Sequence, residues 1–206
     1  MRTWLRFVYG AALCLVMWPA SAASILIMGD SISAAYGMDI EQGWVRLLDQ
    51  RLSQRAPGQH TVINASVSGE TTSGGVRRLP ALLKQHRPEV VVLELGGNDG
   101  LRGQPPKLMA TNLARMIRQS RQAGARVILL GMQIPPNYGR AYTTAFAQVY
   151  PTVAEAEGAA LLPFFLDGVG GVPALMQADG IHPNAQAQAR LLSLAWPLIE
   201  TALKAR

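Results

Sequence analysis

The chain holds one cysteine, Cys14, in 206 residues. Neither a disulfide framework nor a cysteine cluster for a metal is available to it. Histidine is nearly as scarce, with His60, His86 and His182 only. A metal-dependent phosphoesterase wants several histidines and acids as ligands, and only His182 lies in a polar motif, so no metal site is expected. The 13 acidic and 19 basic residues form no block of one sign. Without a basic patch interleaved with aromatics, nucleic acid is not an expected partner. No G-x-G-x-x-G follows a strand pattern, which leaves a dinucleotide site unsupported. Repeats, low-complexity tracts and linkers are also missing.

The longest apolar run near the start, Phe7 to Trp18, spans 12 residues. That is too short to cross a bilayer. Arg2 and Arg6 precede it and Ala20-Ser21-Ala22 follows it, the pattern of a secretory signal cut after Ala22. The expectation is a signal over 1–22 and one domain over 23–206, exported to the periplasm or beyond the cell. Cleavage takes Cys14 away, so the exported chain must be stable through packing alone. It also lowers the formal net charge from +6 to +4 by removing Arg2 and Arg6. A scattered basic surface of this kind needs no membrane contact, and a monomer is expected.

What is present is a regular alternation. Apolar runs at 25–28, 62–63, 90–95, 127–130 and 160–162 read as strands. Helical spacing falls between them. It runs from Trp44 to Leu52 and from Val76 to Leu83, then over 108–123, 141–156 and 185–202, with Pro197 expected to kink the last helix. The run Val90-Val91-Val92-Leu93-Glu94-Leu95 is β-branched and nearly all apolar, as in a parallel strand covered on both faces. Five strand–helix alternations predict an α/β fold with a five-stranded parallel sheet and helices on both faces. Chemistry in such folds sits beyond the carboxyl ends of the strands.

The polar residues gather there. Gly29-Asp30-Ser31 follows strand 1, and Asn64 to Gly69 follows strand 2. Gly96-Gly97-Asn98-Asp99 follows strand 3, Gln133 to Tyr138 follows strand 4, and Asp179 to Asn184 precedes the last helix. Ser31 is the candidate nucleophile, and a hydroxyl needs a base to take its proton. His182, between Gly180 and Pro183, is the candidate base. Asp179, three residues earlier, can orient it. Taken alone, Asp179 and Asn184 read more readily as turn and helix caps. The backbone N–H groups of Ser31 and Gly69 and the amide of Asn98 are candidate oxyanion donors. Asp30 and Asp99 read as structural acceptors of nearby N–H groups. Leu79, Ile134, Pro135, Tyr138 and Ile181 are candidates for an acyl groove, and for each of them ordinary packing is an equal reading.

With these residues assembled, the chain resembles the SGNH (GDSL) hydrolase superfamily, whose namesake residues are Ser31, Gly69, Asn98 and His182 here. The segments ASVSGETT, RLPALLKQH, ELGGNDGLRG, PPNYGR, LLPFF and ADGIHPN resemble its TesA-like branch of periplasmic arylesterases, acyl-CoA thioesterases I and lysophospholipases. The resemblance runs from residue 24 to about 204, essentially the whole exported chain. It implies a three-layer α/β/α flavodoxin-like fold. It also implies cofactor-free hydrolysis of small-molecule esters and thioesters with an acyl chain, through an acyl-serine. The same triad also serves carbohydrate O-deacetylases, the alternative reading. Two departures stand out: Ile32 replaces the usual leucine, and Ala34-Ala35 replaces Ala-Gly. Ala35 is expected to narrow or stiffen the turn after the nucleophile.

Overall fold

The computed structural model describes residues 23–205. The expected signal segment, 1–22, lies outside the described residues.

Five parallel strands form one sheet: β1 (Ala23–Gly29), β2 (His60–Asn64), β3 (Val90–Glu94), β4 (Arg126–Leu130) and β5 (Ala160–Leu162). Their order is β2-β1-β3-β4-β5. The central strands are buried on both faces, Ile25 to Met28 in β1 and the whole of β3, which accounts for their unbroken apolar runs. The helices that cover them are α1 (Trp44–Arg55), α2 (Thr72–His86), α3 (Gly97–Leu101), α4 (Pro106–Gln122), α5 (Arg140–Glu157) and α6 (Gln188–Lys204). Helices α1 and α6 pack together on one face of the sheet, while α2, α4 and α5 form the layer on the other.

Two of the helices end on a left-handed residue. Arg87 takes a left-handed conformation after α2, and Pro88 blocks continuation. Gly158 does the same for α5. Prolines also lie inside α2, α5 and α6, at Pro80, Pro151 and Pro197, each removing one ladder donor. The five-residue α3 was not expected from Gly-Asn-Asp-Gly-Leu, a poor helical composition. The predicted start of α6 is a 3-10 turn over Ala185–Ala187.

The sheet order matters for the site. From β1 the chain moves first to one side, to β2, and then returns to the other, to β3. A crevice opens at such a reversal, beyond the carboxyl ends of β1 and β3. Ser31 follows β1 and Asn98 follows β3.

Candidate active site

After β1 the backbone turns at once. Asp30 Oδ1 accepts from Ile32 N–H at 3.1 Å, and Ala34 N–H donates to Asp30 C=O at 3.0 Å. Ser31 is held in this turn with only 9% of its surface exposed. His182 arrives from the other end of the chain. Its Nε2 lies 2.9 Å from Ser31 Oγ, and its Nδ1 lies 2.6 Å from Asp179 Oδ2. Asp179 Oδ1 also accepts from the N–H groups of Ile181 (2.9 Å) and His182 (3.0 Å). The His182 N–H bond comes first, and the imidazole second, in lowering this carboxyl to about 2. An ionised Asp179 fixes the proton on Nδ1, and Nε2 is then free to accept from the Ser31 hydroxyl. Three side chains expected to act together therefore form one hydrogen-bonded chain. His60 and His86 take no part in it.

Gly69 follows β2 with φ +78°, a conformation L side chains rarely adopt. Its carbonyl accepts from Arg102 Nη2 at 3.0 Å. Val67 N–H donates to Gly29 C=O, and Gly29 N–H donates to Ser66 Oγ, so the loop after β2 is fastened to the end of β1. Asn98 sits in the first turn of α3, and its Nδ2 donates to Asp30 Oδ2 at 3.0 Å. One amide proton is thereby spoken for, and the amide plane is fixed. Asp99, 1% exposed, accepts from Thr72 N–H (2.8 Å) and Thr72 Oγ1 (2.5 Å). It ties α3 to the start of α2, just after Gly69. Both aspartates thus accept hydrogen bonds beside the site.

Sequence reasoning missed the carboxyl beneath this turn. Glu94 ends β3 with no exposed surface. Its Oε2 accepts from Ser33 Oγ at 2.7 Å and from Asp30 N–H at 3.3 Å. Trp44 Nε1 can only donate, and it donates to Ser33 Oγ at 3.1 Å, so the Ser33 proton must point at Glu94. Gly29 is required beside it, because a Cβ there would stand 2.7 Å from Glu94 Oε2. Burial, then the nearby Asp30, pushes the Glu94 carboxyl well above the usual range; burial first also raises Asp30 to about 6. The signal was in the sequence: one acid in an otherwise apolar strand.

The groove candidates fall apart into groups. Leu79 is fully buried in the core under α2, a correction, since a side chain with no exposed surface lines no open groove. Ile134 is nearly buried against Gly100 of α3. Tyr138 is half-buried, and its hydroxyl donates to Leu101 C=O at 2.9 Å. Both hold the loop after β4 against α3, which carries Asn98. Pro135 and Ile181 are exposed. Among the described residues, no three of His, Cys, Asp and Glu converge as metal ligands. No described helix is long and apolar enough to cross a membrane.

Known proteins share this architecture. The GDSL-like Lipase/Acylhydrolase family matches residues 27–190. Esterase TesA of Pseudomonas aeruginosa is 54% identical over 192 residues, covering 93% of this chain and 95% of that protein. Thioesterase 1/protease 1/lysophospholipase L1 of Escherichia coli K12 is 45% identical over 169 residues, covering 82% and 79%. A crystal structure of TesA superposes with a TM-score of 0.84 at 55% identity, over 87% of this chain and 99% of that one.

Proposed function

The chain belongs to the GDSL-like Lipase/Acylhydrolase family, and from that premise we propose that it hydrolyses carboxylic esters and acyl thioesters through an acyl-serine at Ser31. The observation that carries the proposal is the relay Asp179–His182–Ser31, with contacts of 2.6 and 2.9 Å.

His182 Nε2 takes the Ser31 proton as Oγ attacks the acyl carbonyl. Asp179 holds the imidazole by Nδ1 and stabilises its charged form. The Ser31 and Gly69 N–H groups and the free amide proton of Asn98 receive the oxyanion. His182 then protonates the leaving alcohol or thiol. Water, deprotonated by His182, attacks the acyl-serine and releases the acid, and the proton returns to Ser31 Oγ.

The acyl chain lies along the loop after β4, against Ile134, Pro135 and Tyr138, with Ile181 at the opposite rim. Aryl esters, acyl-CoA and lysophospholipids are the substrate classes, and the names esterase and thioesterase 1/lysophospholipase L1 among relatives support them. The enzyme works as a monomer exported by its amino-terminal segment.

The test is Ser31→Ala. The variant folds and loses several orders of magnitude of p-nitrophenyl butyrate hydrolysis, and it no longer reacts with a fluorophosphonate probe. A near wild-type rate in that variant overturns the proposal.

A further inference from the structure

Ser31 and His182 stand 151 positions apart in the chain, on separate loops, yet their reacting atoms are 2.9 Å apart. Asp179, Gly180 and Ile181 of the second loop are exposed, and exposed loops move. Something must hold the two together, because a misplacement of about 1 Å costs roughly 10²-fold in rate.

A closed circuit of hydrogen bonds does so. Ser31 C=O accepts from Tyr36 N–H at 3.0 Å. Tyr36 C=O accepts from Gln177 Nε2 at 2.8 Å. Gln177 N–H donates to His182 C=O at 2.7 Å. His182 Nε2 and Ser31 Oγ close the ring. Gln177 Nε2 also donates to Pro183 C=O at 3.1 Å, so its two amide protons grip one loop each. Residues 176 and 183 form an antiparallel bridge, which makes the segment a small hairpin with Gln177 bonded across from His182. Between this hairpin and the turn 31–36, the described residues make two hydrogen bonds: the reactive one, and Gln177 to Tyr36.

We propose that Gln177 is a positioning residue that sets the Ser31–His182 contact by clamping the base-bearing hairpin to the nucleophile turn. The inference rests on the reading of Ser31 and His182 as nucleophile and base. Glutamine suits the task because the amide brings two donors to two carbonyls. Glutamate has no N–H, methionine fills the volume without a donor, and asparagine is one carbon too short. Gly37, next to Tyr36, leaves the space that the amide occupies: a Cβ there would stand 2.3 Å from Gln177 Oε1. The Tyr36 ring packs on His182 with centroids 4.6 Å apart, but the clamp uses its backbone, the N–H toward Ser31 and the carbonyl toward Gln177.

The experiment compares wild type, Gln177→Met and Gln177→Glu on p-nitrophenyl butyrate, with fluorophosphonate labelling of Ser31 as a substrate-independent readout. Q177M and Q177E lose on the order of 10–100-fold in kcat with little change in KM, and labelling slows by the same factor. If Q177M does not fold, Q177E gives the same readout with a polar side chain of equal length. A kcat and labelling rate within about threefold of wild type overturn the clamp, whether or not the melting temperature falls. If S31A retains activity, the reading of the site fails instead; an inactive S31A beside a fully active Q177M sinks the clamp alone.

Discussion

The Asn98 side-chain amide donates to the Asp30 carboxylate at 3.0 Å, joining the start of α3 to the turn after β1. The acid beside Ser31 therefore aims the Asn98 amide, the oxyanion donor of the proposed mechanism. Asp30→Asn keeps an oxygen for Ile32 N–H but turns an amide donor toward the Asn98 donor. The proposed loss in kcat/KM approaches the roughly 10²–10³ of a missing oxyanion donor. Steady-state kinetics on p-nitrophenyl butyrate measure it, and a D30N rate within about threefold of wild type excludes the role.

Glu94 and Asp30 bind protons more tightly in the folded chain than in the unfolded one, because burial raises both carboxyls. The sign follows from linkage. Their contribution to stability is fully present below the ordinary carboxylate range, and it is lost as pH rises through about 6 for Asp30 and higher for Glu94. Glu94→Gln cannot ionise. The melting temperature of E94Q relative to wild type is thus expected to climb between pH 5 and pH 8, read by calorimetry across that range. Parallel curves for the two proteins would show that the fold does not hold the Glu94 proton more tightly than the unfolded chain does.

Ala35 carries φ +56°, one of two non-glycine residues in the left-handed region among those described. An L side chain in this region costs roughly 1–2 kcal/mol, partly offset by the looser unfolded chain a glycine gives. Ala35→Gly should stabilise by about 1 kcal/mol, or about 2–4 °C in a domain of this size. Thermal melts test this, and an unchanged or lower melting temperature contradicts it.

Leu79 separates packing from substrate contact. Leu79→Ala is expected to cost about 2–5 kcal/mol through the cavity it leaves. Its preference among p-nitrophenyl esters of graded acyl length should remain that of wild type. A shifted chain-length profile at preserved stability would return Leu79 to the groove.

Much of this was legible in the sequence because two strong signals coincided. Strands buried on both faces read as unbroken apolar runs, and the residues that follow them are displaced toward one edge. That logic picks out Ser31, Gly69, Asn98 and the Asp179–His182 pair as candidates, and the structure joins Ser31, His182 and Asp179 in one hydrogen-bonded chain. Leu79 was misassigned because helical spacing marks a stripe without saying what faces it. Val76, Leu79 and Leu83 share that stripe, and all are buried. Helix α3 was missed because its two glycines and Asn98-Asp99 oppose helix formation locally, while Thr72 and Asp30 hold it from outside. The Gln177 clamp left no trace in the sequence, since its partners are backbone carbonyls and any residue supplies those.

Glu94 pairs with Gly29 across the parallel ladder between β3 and β1. Strand side chains alternate faces, so a slip of one residue in that pairing carries the acid to the opposite face, away from Ser33 and the Asp30 N–H. An unpartnered carboxyl in an apolar layer is costly, whereas the neighbouring valines and leucines tolerate either face. A single acid at the strand end thus distinguishes the correct alignment of two otherwise interchangeable apolar strands, and the chain checks its own assembly at the place where the Ser31 turn begins.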